Sequence, residues 1–358
     1  MAKNDSRTKA FDTTAKSKKR HKSRGRIRQQ IVISIFAVIA LILVVFATLI
    51  IGKIIMLKKE GGSSQNTPPI NTVSLSASDI KKGNLLLINN SYKFDYSING
   101  LISNSYDNLP SGIVNLWAFK HTSTNDAETK ITIPGTGIQA PTYELGGGQP
   151  KDIALEEITL HAFNQMMLDY CKTLDLSSYS SGSASKINVA WGWSYEGDLL
   201  NNDLTHEDRG ATFWSQADGK SLTLMHAGTQ AKMSETIFKN QFSWVYQNAH
   251  KYGFINRYPN ACEEHTGLNS NTRIHLRYIG VEHATYIHDN GCCLDEYLKM
   301  LSEEHGYNNP LEIVADGKTF LVYYVEASGN PINVPVLDGK NYTVSGNNMN
   351  GFIVSVEK

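Results

Sequence analysis

The chain has 358 residues, of which 41% are hydrophobic and 19% charged, with equal numbers of acidic and basic side chains. This is the composition of a largely folded globular protein, which excludes a disordered or fibrous chain. Residues 1–30 carry eleven Lys or Arg against two Asp, so the neutral total leaves residues 60–358 acidic. A basic tail on an acidic body argues against a nucleic-acid-binding protein, because the basic patch lies outside the folded part.

An uncharged, apolar run covers residues 31–51, directly after the basic tail. A helix of this length spans roughly 30 Å, the hydrocarbon thickness of a bilayer. The run is longer than the roughly 7–15-residue apolar core of a signal peptide, and no convincing cleavage site follows it. We therefore predict an uncleaved transmembrane helix over residues 31–52 of a cell-membrane protein. The positive-inside rule places the tail, residues 1–30, in the cytoplasm and the C-terminal domain outside the cell.

The next segments read as a linker followed by regular elements. Residues 53–75 are rich in Gly, Ser, Asn and Pro toward their end, which predicts a flexible linker. The LLLI run within 84–90 predicts a buried strand. Apolar residues at helical spacing predict an amphipathic helix over 158–174, and a short strand is predicted at 187–191.

The second half of the chain has clearer signals. A helix is predicted over 242–252 and ends at Gly253, which suits a helix C-terminus. Alternating polar and apolar residues predict a strand at 273–280. Two further helices are predicted at 283–290 and 294–304.

The last fifty residues contain apolar, strand-like segments separated by Gly and Asn turns. We predict from them a small C-terminal β module over residues 306–358. The main ectodomain is then expected to comprise residues 76–305.

Three segments resemble the VanY-like D-alanyl-D-alanine carboxypeptidases. They are WVYQNAHKYGFINRYP at 244–259, the stretch that begins RIHLRYIG at 273–301, and ITLHAFNQMMLDY at 158–170. Their order and spacing agree with that family over roughly 80–305. The resemblance implies an α+β fold, namely a LAS-type D,D-carboxypeptidase-like domain with a central antiparallel sheet. It also implies a bacterial cell-wall setting, with peptidoglycan or its stem peptides as the partner.

The family's zinc chemistry comes from three motifs. In the family, the zinc ion is held by three side chains: the His and the Asp of S-x-H-x-x-G-x-A-x-D and the His of E-P-W-H. The Glu of E-P-W-H is the general base. An Arg of S-G-Y-R-S contacts the substrate. Three protein ligands leave one position for a water molecule, whose pKa the metal lowers. A carboxylate then takes the proton.

The counterpart of E-P-W-H is the segment TRIH, 272–275. His275 stands where the third zinc ligand belongs. Thr272 replaces the general base, and a hydroxyl of ordinary acidity cannot take a proton at neutral pH. In this segment the family's zinc ligand is therefore present and its general base is absent.

The counterpart of the His/Asp motif is read as THEDRGATFW, 205–214, aligned on Gly210. In that register Glu207 replaces the His and could substitute as a ligand, whereas Trp214 replaces the Asp and its indole offers no lone pair. A shift by one residue brings His206 to the ligand position but puts Phe213 at the Asp position.

The counterpart of S-G-Y-R-S lies in VAWGWSYE, 189–196, which contains no Arg. Aromatic side chains on these segments either stack on a glycan or peptide or fill the space left by the lost ion. The candidate binding residues are Trp191, Trp193, Ser194 and Trp214.

Other side chains could help to rebuild a zinc site, although none has a recognised ligand spacing. Those in loops near the expected groove are His206, His226, His265, Asp208 and Asp218. The helical histidines His250, His283 and His288 are expected to be solvated, and Arg257 and Arg277 are expected to form structural ion pairs. The four cysteines, Cys171, Cys262, Cys292 and Cys293, are predicted to be small buried side chains, with a disulfide between Cys262 and one of the adjacent pair as the alternative.

The leading hypothesis is a membrane-anchored, non-hydrolysing relative of the carboxypeptidases that binds cell-wall peptides, a pseudoenzyme without a cofactor. One alternative is an active zinc D,D-carboxypeptidase with a rearranged site. Another is an ectodomain that docks a second protein. No nucleic-acid partner is expected.

Overall fold

A computed structural model describes residues 70–89, 91–95, 97–103, 105–121, 130–132, 139–141, 143–145, 153–174, 187–193, 215–226, 233–271 and 273–358. The predicted cytoplasmic tail (1–30), transmembrane helix (31–52) and most of the linker lie outside this part of the chain. Within it, no helix combines the length and the apolar character needed to cross a membrane.

The described residues form an α+β structure. The strands are β1 (Ile70–Leu75), β2 (Ile113–Asn115), β3 (Lys130–Thr132), β4 (Gln139–Pro141), β5 (Glu144–Leu145), β6 (Ala154–Glu156), β7 (Ile187–Trp191), β8 (Ser221–His226), β9 (Phe254–Asn256), β10 (Ile274–Tyr278), β11 (Leu311–Ala315), β12 (Lys318–Glu326), β13 (Ile332–Leu337), β14 (Tyr342–Gly346) and β15 (Gly351–Glu357). The helices are α1 (Leu116–His121), α2 (Glu157–Lys172), α3 (Glu235–Gln241), α4 (Ser243–Asn248), α5 (Glu263–Thr266), α6 (Val281–Asn290) and α7 (Leu294–Glu304), with 3-10 turns at Ala77–Lys81, Ala249–Tyr252 and Asn260–Cys262.

The central sheet has five strands in the order β5-β7-β8-β10-β9. All neighbours are antiparallel except β5 and β7. Thr223 of β8 pairs with His275 of β10 on one side and with Trp191 of β7 on the other. Three neighbouring strands therefore place these residues at one level of the sheet. The predicted central, mainly antiparallel sheet is confirmed.

Helix α2 supplies much of the core beside this sheet. Leu160, Phe163 and Met167 are fully buried in one apolar cluster with Val189 and Leu224 of the sheet. Burial of each such side chain contributes about 1.5–3 kcal/mol. The apolar spacing that predicted a helix over 158–174 therefore marks the face that packs on the sheet.

The segment 242–252 differs slightly from its predicted single helix. Helix α4 ends at Asn248, and a 3-10 turn carries the chain to Gly253, whose φ is 81°. A Cβ at Gly253 would lie 2.6 Å from the Tyr278 ring, so only glycine fits there. The predicted stop is confirmed, and the last turn is tighter than an α-helix.

The C-terminal strands form a four-stranded sheet in the order β11-β12-β15-β14, while β13 pairs with β1. The predicted linker, 53–75, is therefore wrong at its end, because residues 70–75 are a strand bonded to β13. The four-stranded sheet shares an apolar cluster with helices α6 and α7, through residues such as Ile313, Val322 and Leu298. The β segment is thus not a self-contained module.

The LLLI run is buried as predicted but is not part of a strand. The backbone N–H of Leu85 donates to the Ser345 hydroxyl at 2.9 Å, and that of Leu87 donates to the Asn347 carbonyl at 3.1 Å. Two of its donors are therefore bonded to the end of β14 and the residue that follows it, and these bonds replace those of a strand ladder.

Candidate functional site

His275 lies on β10 with its side chain in the interior. It is 6% exposed, and its Nδ1 lies 3.0 Å from the Thr223 hydroxyl across the strand pair. Burial, and secondarily the nearby Arg273, lowers the pKa of His275 to about 3. The ring is therefore neutral at physiological pH, and its Nδ1 can accept a hydrogen bond.

A glutamine completes this arrangement. Gln216 Nε2 donates to the Thr223 hydroxyl at 2.7 Å, which leaves the hydroxyl proton for His275 Nδ1. Gln216 and Thr223 are 3% and 1% exposed. We call Gln216, Thr223 and His275 the polar chain, because each group is bonded to the next inside the protein.

The polar chain suggests a second register for the His/Asp motif. With Gly219 in place of Gly210 as the motif glycine, Gln216 falls at the His position and Thr223 at the Asp position. Ser221 then falls at the Ala position, where a small side chain belongs. In this register all three positions that hold the ion in the family meet at one point of the structure.

The backbone at Gly219 supports this reading. Its φ is 73°, and a Cβ there would approach the backbone nitrogen of Glu156 to 2.7 Å. Both features exclude other residues, so this turn requires glycine. A glycine four residues before a buried strand threonine was the signal that the sequence analysis missed.

The polar chain does not fit a zinc ion. Gln216 replaces an imidazole with an amide, whose oxygen is a weak ligand for zinc, and neither the amide nor the hydroxyl carries the negative charge of the family's Asp. The two groups of potential metal-binding side chains found among the described residues lie elsewhere and do not include His275.

Several predicted site residues lie outside the part of the chain that the structure describes. They are Ser194, His206, Glu207, Asp208, Trp214 and Thr272. Their roles stay predictions.

The two described tryptophans have different environments. Trp191 is partly exposed, and the Arg273 guanidinium lies 4.3 Å from its ring centroid. Trp193 is 1% exposed and packs edge-on against Tyr106, with ring centroids 5.8 Å apart. Trp193 therefore fills space in the core, and Trp191 presents a ring beside the polar chain.

The remaining candidate ligands are not brought to His275. Asp218 is buried in an ion pair with Arg277, 2.6 Å from its Nη2. His226 bonds to Gln241 at 3.1 Å, and His265 Nε2 lies 3.1 Å from Glu296 Oε1. The predicted structural role of Arg277 is confirmed.

The expectation that the helical histidines are solvated is wrong for two of them. His250 and His283 are 8% and 3% exposed. His250 stacks on the exposed ring of His288 at a centroid distance of 3.7 Å, while His283 Nδ1 lies 2.8 Å from the Tyr297 hydroxyl. Helical position alone could not reveal that both rings face neighbouring elements.

Residues 210–281 match the VanY family model, described as D-alanyl-D-alanine carboxypeptidase. The chain is 26% identical over 311 residues to a D-alanyl-D-alanine carboxypeptidase of Enterococcus faecium, with 83% of this chain and 82% of that protein covered. It is 47% identical over 57 residues to one of Enterococcus faecalis, which covers 16% of this chain and 21% of that protein.

A solved structure has a similar fold. It is the vancomycin-resistance D,D-dipeptidase VanXYg in complex with a D-Ala-D-Ala phosphinate analogue. The TM-score is 0.55 at 18% identity, and the match covers 81% of this chain and all of that one. The likeness shows a shared α+β fold of the LAS-type peptidases.

Proposed function

We propose, on the premise that this chain is a VanY-like relative of the D-alanyl-D-alanine carboxypeptidases, that it binds peptidoglycan stem peptides without hydrolysing them. The observation that carries the proposal is the polar chain. Gln216, Thr223 and His275 satisfy one another where the second register places the family's three zinc ligands.

The loss of hydrolysis follows from the charge of these groups. Zinc in a catalytic site needs ligands with free lone pairs, and the family adds an anionic Asp. A neutral hydroxyl stands at that position here, and its lone pair accepts from Gln216 Nε2. Thr272, at the family's base position, has no group that takes a proton near neutral pH. These positions therefore supply neither an activated water nor a base.

Peptide binding is supported by the residues beside the polar chain. The Arg273 guanidinium is stacked over Trp191, whose backbone pairs with Thr223 in the sheet. A stem peptide ends in a carboxylate, which a guanidinium binds through paired hydrogen bonds. The aromatic face supplies contact area at low entropic cost.

Membrane attachment is part of the proposal. The apolar run 31–51 has the length of a bilayer span, and the basic residues before it favour a cytoplasmic N-terminus. The folded domain would then face the cell wall, where stem peptides occur.

The test uses the full chain in detergent and a peptide that ends in D-Ala-D-Ala. Calorimetric titration should show binding, and Arg273→Ala should weaken it by about tenfold or more, since charge-assisted hydrogen bonds contribute about 1.5–3 kcal/mol. Incubation with zinc should release no D-alanine. Release of D-alanine that His275→Ala abolishes would contradict the proposal and indicate a rearranged zinc site.

A gain-of-function control sharpens this test. Gln216→His with Thr223→Asp restores the family's ligand types beside His275, and the double variant should bind one zinc ion more than the unchanged protein. Adding Thr272→Glu should then produce measurable hydrolysis. No extra zinc in a folded double variant would refute the second register. Peptide binding absent from the unchanged protein would favour a protein-docking role.

A further inference from the structure

A second cluster of metal-ligand side chains lies at the N-terminus of α7. Cys262, Cys293 and Glu296 each offer a ligand atom, and these atoms all lie within 4.8 Å of one another. His265 is outside this group but contacts it through Glu296, whose Oε1 lies 3.1 Å from His265 Nε2. Cys262 and Cys293 are 3% and 1% exposed, so both cysteines of the cluster are buried in the protein.

The spacing in the sequence matches the geometry. Cys262 and His265 form one C-x-x-H pair, and Cys293 and Glu296 form one C-x-x-E pair. Ligands separated by two residues in this way come from a single turn of chain. Two such turns that face each other are the usual construction of a closed zinc site.

We propose that Cys262, His265, Cys293 and Glu296 form a structural zinc site, which we call the cysteine clamp. Two thiolates, an imidazole and a carboxylate make a four-ligand set of the kind that zinc prefers, with no open position for a substrate. The clamp shares no residue with the polar chain, so it stands whether or not the proposed function is correct.

Hydrogen bonds already connect the proposed ligands. The Cys262 thiol donates to Glu296 Oε2 at 3.5 Å, and the backbone N–H of Cys293 donates to the same oxygen at 2.9 Å. A bound cation would replace the proton that the thiol now shares with the carboxylate.

A disulfide between Cys262 and Cys293 is the competing use of the same atoms. It would join the two sulfurs but would leave Glu296 and His265 without a role. The carboxylate within 4.8 Å of both sulfurs favours a cation instead, because it is an oxygen ligand that a disulfide cannot use.

The clamp would hold together two segments that are distant in sequence. It joins the turn around 260–267 to the start of α7, and the residues after that turn lead into β10 and His275. A cleft of about 300 Å³ borders the clamp at Cys262, and its lining also includes Pro259 and Ala261.

The test is cobalt(II) binding to the full chain, in detergent and after reduction. Coordination by thiolates produces an intense ultraviolet charge-transfer band and the visible bands of a tetrahedral ion. We expect about one cobalt ion per chain with both signals, displaced by zinc. Cys293→Ser should remove most of the charge-transfer band, and serine is a preferred N-cap residue, so the helix start is preserved.

Three controls separate the outcomes. Cys292→Ser changes the neighbouring thiol and should leave the cobalt spectrum unchanged. His275→Ala should leave the number of cobalt ions bound per chain unchanged. His265→Ala changes an exposed residue and should weaken cobalt binding. Cobalt bound without a charge-transfer band would place the ion at an imidazole site such as His250 and His288, and would overturn the proposal. A loss of two free thiols before reduction, restored by reduction, would show the disulfide and would also overturn it. No bound metal in the reduced, folded protein would do the same.

Discussion

The polar chain and the cysteine clamp are two clusters of polar side chains in one domain, and they differ in charge. The polar chain consists of neutral groups joined by two hydrogen bonds, from Gln216 to Thr223 and between Thr223 and His275. The clamp contains a carboxylate beside two thiols, and a bound cation would displace the thiol protons. A shared fold therefore does not decide where a cation binds. The charge that the ligands can carry decides it, because a desolvated ion needs compensation.

Each cluster also lies beside a buried Arg–Asp pair. Arg277 is paired with Asp218 at 2.6 Å on the side of the polar chain, and Arg257 with Asp295 at 2.7 Å beside the clamp. Both guanidinium groups are fully buried, so water cannot solvate either arginine if its carboxylate partner is removed. Loss of either carboxylate is therefore expected to have the largest effect on stability.

The largest expected effect is from the loss of one carboxylate. Asp218→Ala and Asp295→Ala should each lower the free energy of unfolding by about 3–5 kcal/mol, since an unpaired buried charge remains. Denaturant titration followed by tryptophan fluorescence measures this. Glu312→Ala breaks the exposed pair with Lys358 and should cost less than about 1 kcal/mol.

The two variants should differ in metal binding. Asp295 lies between two proposed clamp ligands, so its loss should weaken cobalt binding, whereas Asp218→Ala should leave it unchanged. If both variants lost cobalt binding equally, the clamp would not be a site separate from the polar chain.

A smaller effect is expected from the middle of the polar chain. Thr223→Val keeps the shape of the side chain but leaves Gln216 and His275 without their shared partner, which should cost about 1–3 kcal/mol. Thr343→Val, at an exposed strand position, is the matched control and should be nearly neutral. An equal effect of the two changes on the unfolding free energy would show that the polar chain contributes nothing.

The smallest effect concerns acid stability. The pKa of His275 is about 3 in the folded protein, against about 6.5 in an unfolded chain, so the unfolded state binds the proton first. The contribution of His275 is therefore present above pH 6.5 and is lost as the pH falls towards 3. Between pH 7 and 5.5 this loss should be about 1 kcal/mol.

Comparison with His275→Gln isolates this contribution, because other acid-sensitive groups such as His250 remain in both proteins. The variant should lose about 1 kcal/mol less than the unchanged protein over that pH range. Parallel pH profiles for the two proteins would mean that His275 is accessible to protons, contrary to its burial in the polar chain.

Local patterns predicted the regular elements well. The strand at 187–191 and the helix at 294–304 were predicted to the residue, and Gly253 ended its segment as expected. Periodicity and chain reversal are properties of neighbouring residues, so they can be read without a partner. The LLLI run shows the limit: its burial was evident, but its hydrogen-bond partners lie more than 250 residues away.

The candidate site was predicted less well for the same reason. His275 was found from its motif, whereas Gln216 and Thr223 were missed because the motif was aligned on Gly210. Only the φ of Gly219 and the contact across the strand pair distinguish the two registers.

The sequence by itself determined the element types, the family resemblance and the absence of an Arg and a Glu at two functional positions, since these follow from residue identity and spacing. Tertiary structure alone decided that residues 70–75 are a strand, that Asp218 and Asp295 neutralise buried arginines, and that Cys262 meets Cys293. Such pairings depend on which distant residues share a desolvated interior. There, each polar group needs a partner that local patterns do not specify.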